Sequence, residues 1–70
     1  MAALTVQTER TTGGEWVAEV MELPGCIVVA KTEDEALSKV AALALRVLAD
    51  RLEHGEAKPE TVSFVMHAAA

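Results

Sequence analysis

The chain has a single cysteine, Cys26, so no internal disulfide can form, and an unpaired thiol fits a reducing compartment. No Cys/His pair has the spacing of a zinc site. Trp16 and Phe64 are the only aromatics and tyrosine is absent, so alanine, valine and leucine must carry the core. Six basic residues face eleven acidic ones, and the net charge of −5 repels a phosphate backbone. The bases form no patch or stripe, so direct nucleic-acid binding is not expected. No apolar run reaches the roughly 18 residues of a membrane span. The start, Met1-Ala2-Ala3-Leu4, has neither the basic nor the apolar region of a signal peptide. A cytoplasmic protein with no membrane contact is the expectation. The glycines at 13, 14 and 25 match neither a P-loop nor a dinucleotide fingerprint.

What is present is a half-hydrophobic chain of 70 residues, enough for one domain spanning 1–70. A chain of this size buries only about 60% of the surface its unfolded form exposes. Small scaffolds commonly gain stability from disulfides, a metal or another chain. With the first two missing, a homo-oligomer (dimer or tetramer) is expected.

Residues 4–10 alternate, with Leu4 and Val6 on one side and Thr5, Gln7 and Glu9 on the other, which predicts a strand buried on one face. Gly13-Gly14 reads as a hairpin turn in which both glycines take positive φ. Residues 15–23 form a second strand, with Trp16, Ala18 and Val20 on one face and Glu15, Val17, Glu19 and Met21 on the other. Pro24-Gly25 has the chemistry of a type II turn. Ile27 to Lys31 is a third, almost wholly apolar strand.

Thr32 begins a helix with a capping box closed by Glu35, and Glu33, Asp34 and Glu35 favour the positive end of its dipole. The helix runs to His54, with Gly55 as the residue after its cap. Leu37, Val40, Ala41, Ala44, Val47, Leu48 and Leu52 share one face; Glu35, Lys39, Arg46, Asp50 and Glu53 lie opposite. Leu43 and Leu45 flank the apolar stripe, and Arg46 and Asp50 are spaced to pair. Residues 61–67 form a last strand with Val62, Phe64 and Met66 on one face. The expected fold is α+β: a two-layer β-β-β-α-β unit whose four-stranded mixed sheet has the order 3-2-1-4, with one helix on one face. Its third and fourth strands are edges, open to pairing with another chain.

Catalytic groups are hard to assemble from this pattern. Cys26 fits a small buried hydrophobe, His54 a helix-end residue and His67 an inert residue near the terminus. Glu9, Glu15 and Glu19 share one sheet face and have the chemistry to hold magnesium, but a solvated face explains them as well. No enzymatic activity, cofactor or metal is expected. Trp16 reads as core, or as a partner anchor beside a turn.

The segment Glu15-Trp16-Val17-Ala18-Glu19-Val20-Met21-Glu22-Leu23-Pro24-Gly25-Cys26, followed by Thr32-Glu33-Asp34-Glu35-Ala36-Leu37, resembles HicB-like antitoxin domains. The likeness spans about residues 4–60 and rests on Leu-Pro-Gly-Cys and Thr-x-x-Glu-Ala-Leu at this spacing. It implies a partial ribonuclease H-like fold without working carboxylates. It also implies a binding module that covers a small basic RNA-cleaving toxin, HicA-like, and that oligomerises. Family members carry a further C-terminal helix-turn-helix or ribbon-helix-helix segment. The sequence ends at Ala70 without one, and no DNA binding is expected. Ala30-Lys31 stands where the family often has Gly-Asp.

Candidate partner-binding residues are Trp16, Val17, Glu19, Met21 and Glu22. The alternative function is a stand-alone homo-oligomer, for which Val17, Met21, Val65, Leu43 and Leu45 are candidate contact residues. A residual nuclease using Glu15 and Glu19 is the third reading.

Overall fold

The alternating runs and the capped amphipathic run form five elements in a computed structural model that describes residues 2–59 and 62–68, with side chains at 3–59 and 62–66. These are β1 (Ala2–Arg10), β2 (Trp16–Val20), β3 (Ile27–Ala30), α1 (Glu33–Glu53) and β4 (Val62–Ala68). The sheet order is β3-β2-β1-β4, as expected. β1 is antiparallel to β2, β2 to β3, and β4 returns parallel to β1.

Both hairpins are built from glycine. Gly14 takes φ 86°, and its N–H donates to Thr11 O at 3.0 Å, while Gly13 does not take positive φ. Only one left-handed residue is needed because Thr11 N–H to Glu15 O at 2.8 Å closes a three-residue loop, Thr12-Gly13-Gly14, rather than a two-residue one. Gly25 takes φ 85° behind Pro24, and Cys26 N–H closes the turn on Leu23 O at 3.0 Å. β2 ends at Val20, not at residue 23, because Leu23 N–H turns back to Val20 O at 3.2 Å.

The Thr32 hydroxyl accepts from Glu35 N–H at 3.1 Å, which is half of the expected capping box. The Glu35 carboxylate takes Lys39 Nζ at 2.8 Å instead of reaching back. At the other end His54 is the cap. Gly55 N–H donates to Leu52 O at 3.2 Å and Glu56 N–H to Arg51 O at 2.8 Å, the paired bonds of a Schellman motif. Asp50 pairs with His54, Nδ1 to Oδ1 at 3.3 Å, rather than with Arg46.

The core is Leu4, Val6, Ala18, Val20, Leu23, Cys26 and Ala30 from the sheet side, with Ala36, Val40 and Ala44 from α1. The helix is rotated relative to the expected face: its deepest row is Ala36-Val40-Ala44, flanked by half-buried Leu37, Leu43, Val47 and Leu48. Small residues four apart let the helix axis approach the sheet closely, and that approach selects the row. Leu52 lies in the last turn, over an open cleft, and is exposed. α1 lies chiefly over β2 and β3 and less over β1. Residues 1, 60, 61, 69 and 70, and the side chains of residues 2, 67 and 68, lie outside the described residues, and with them the expected start of the last strand at residue 61 and the reading of His67.

Candidate partner-binding face

Because side chains alternate along a strand, α1 covers only one face of the sheet. The covered face takes Leu4, Val6 and Thr8, Trp16, Ala18 and Val20, and Val28 and Ala30. The open face takes their neighbours. Its register sets Glu9 beside Val17 and Val17 beside Val29; one row along, Gln7 is beside Glu19 and Glu19 beside Ile27. Directly opposed residues have Cβ atoms about 4.5–5.5 Å apart, so each row is a continuous strip. Ile27 is 48% exposed and Val29 52% exposed. Gln7, Glu9, Val17 and Glu19 also line a shallow depression of about 70 Å³. On the strands of this face stand two carboxylates and no lysine or arginine.

The sequence-predicted contact residues divide. Val17 and Glu19 lie at the centre of the open face. Met21 stands exposed one residue past the end of β2, its N–H on Thr5 O at 2.9 Å. Trp16 is on the covered face, half-buried and packed against the core. Glu22 accepts from Thr5 N–H at 2.7 Å, a bond that holds its carboxyl below the ordinary range and fastens the β2–β3 turn to β1. Ile27 and Val29 were missed. Their signal was the period of β3 itself: one helix covers one face, so alternate residues of even an all-apolar strand face outward.

Two other places bear on chemistry. An open cleft of about 280 Å³ lies between the end of α1 and the start of β4. Among the described residues Leu4, Leu23, Leu48, Leu52 and Val62 line it with Glu22, Arg51, Glu56 and Lys58. At the helix end, Asp50, His54 and Glu56 place ligand atoms within 4.8 Å of one another, all exposed. Helix capping accounts for this group: His54 Nδ1 donates to Asp50 O at 2.7 Å, and the Schellman turn folds Glu56 back. It is the one such group among the described residues; Glu9, Glu15 and Glu19 do not converge in this way. Cys26 is buried, with Sγ 3.9 Å from Val40 O, and burial pushes its thiol pKa up.

Compared with known proteins, the chain matches no family model, no curated protein and no solved structure. No helix of the described residues is long and apolar enough to cross a membrane.

Proposed function

We propose that this chain is a protein-binding module of the HicB antitoxin type, which neutralises a small basic RNA-cleaving protein in the cytoplasm by covering it. The observation that carries the reading is the open face, where Glu9 and Glu19 flank the aliphatic strip of Val17, Ile27 and Val29. Exposed aliphatics supply contact area, and carboxylates without competing bases attract and orient a cationic partner.

The test is the product of the reading frame adjacent in the native genome. The expected result is a small basic ribonuclease that co-purifies with this chain and loses RNA cleavage in the complex. Binding should weaken steeply with added salt, because the contact is charge-steered. A Glu9→Lys/Glu19→Lys variant should keep the wild-type circular dichroism and lose inhibition at least tenfold. A neighbouring frame without a basic product, or full inhibition by the double variant, overturns the reading.

A further inference from the structure

β4 is the bare edge of the sheet. It pairs with β1 on one side, and among the described residues nothing pairs with its other side. The opposite edge is blunted: β3 is four residues long, set between the Pro24-Gly25 turn and Lys31. β4 is seven residues long, VSFVMHA, with no proline, no glycine and no Lys, Arg, Asp or Glu. An unprotected strand edge presents a row of N–H and C=O groups, and the chemistry that satisfies such a row is another strand. Val65 on the open face is 44% exposed, and Met66 on the covered face is 48% exposed. α1 lies chiefly over β2 and β3 and less over β1, so among the described residues the β4 side of the covered face is the less covered one.

We propose that the outer edge of β4 pairs antiparallel with β4 of a second copy, on a two-fold axis through Val65. The strand is its own complement in this register. Val65 is the middle residue of Val62–Ala68, so every residue of the seven finds its opposite within the same seven. Phe64 stands opposite Met66 of the second copy on the covered face, a sulfur–aromatic pair, and Val65 stands opposite Val65 on the open face. The two four-stranded sheets become one of eight strands, with both helices on the same side. A closed two-fold consumes both bare edges at once, so assembly stops at two. The strand carries none of the charge of this −5 chain, which suits it to a like-charged copy. It also separates this contact from the charge-steered Glu9/Glu19 face.

The experiment is sedimentation or light scattering of the full chain across protein concentration and salt. The expected mass is twice 7.4 kDa, insensitive to salt. Val65→Lys sets two ammonium groups against each other and should halve the mass. Val65→Glu should do the same, and an equimolar mixture of the two variants should restore the dimer. Val29→Lys, on the other edge, should leave the dimer intact. Should Val65→Lys fail to fold, Val65→Cys decides: cross-strand Cα atoms about 4.5–5.5 Å apart lie within disulfide reach, so mild oxidation should cross-link two chains through residue 65. Buried Cys26 takes no part. A wild-type chain of 7.4 kDa at all concentrations, a Val65→Lys variant that stays folded and dimeric, or no cross-link at residue 65 overturns the proposal.

Discussion

The hydroxyl of Thr8, buried in the middle of the covered face, donates to the Glu33 carboxylate at 2.8 Å and ties β1 to the first turn of α1. The bond satisfies the one buried polar residue of the described core. It also holds a carboxylate near the positive end of the helix dipole. Thr8→Val keeps shape and β-branching while removing the donor. It should cost about 1–2 kcal/mol in urea unfolding, a hydrogen bond to a charged group discounted for partial exposure. An unchanged midpoint would show that the bond contributes nothing.

Ala44 has no room above it. Its full burial in the Ala36-Val40-Ala44 row sets how near α1 sits to the sheet. Ala44→Leu must lift the helix or force strained rotamers, and should destabilise by roughly 1–3 kcal/mol. Leu45→Ala, one residue on but exposed, should stay within about 0.5 kcal/mol. The two substitutions compared by thermal unfolding locate the buried row directly.

Much of this architecture is legible in the residues alone, and the parts that are not share a cause. Thr32 as the cap, Pro24-Gly25 as a turn and the alternation of Leu4-Thr5-Val6-Gln7 are local signals, read from chemistry within a few residues. The strand order follows from two short connections and one helical return. What local patterns do not carry is how two elements meet. The rotation of α1 onto Ala36, the end of β2 at Val20, and the choice of His54 over Arg46 by Asp50 are each decided by contacts or hydrogen bonds formed only in the assembled fold. The candidate face shows the same division: Val17 and Glu19 follow from alternation, whereas Trp16 and Glu22 are absorbed by packing and by Thr5 N–H.

The Cys26 thiol should be inert in the folded protein. Burial raises its pKa above the ordinary 9.0, so the nucleophilic thiolate is scarce and shielded. A thiol reagent at pH 8 should react only after denaturant is added. The linkage has a sign. The folded pKa lies above the unfolded one, so the contribution to stability is whole below the unfolded value and is lost as pH rises through the folded value. Cys26→Ala should therefore show a shallower fall in stability than the wild type above pH 9.0. Equal slopes would contradict this.

On the acid side two carboxylates carry the opposite sign. Glu22 is depressed below its ordinary 4.5 by the Thr5 N–H, and Glu35 by Lys39. Their contribution is present above that value and is lost as pH falls through each depressed pKa. A Glu22→Gln/Glu35→Gln variant should have a flatter stability profile below pH 4.5, and its single variants should flatten it in part. Both carboxylates are on the surface, so added salt should shrink the Glu35 share more than the Glu22 share, which is a hydrogen bond to backbone.

β1 is flanked by partners from opposite ends of the chain: β2 across one short turn, β4 across residues 11–61. Closing the near hairpins orders few residues, whereas closing the far pair orders nearly the whole molecule first. Within a single chain the parallel pair is therefore the contact with the largest loop to close, and it is expected to form after the hairpins. A chain caught before that step shows β1 as a naked edge, ready to accept the final strand of any neighbour. Crowded synthesis thus makes the timing of one seven-residue segment the point at which a chain that keeps its own β4 and one that exchanges it with a neighbour diverge.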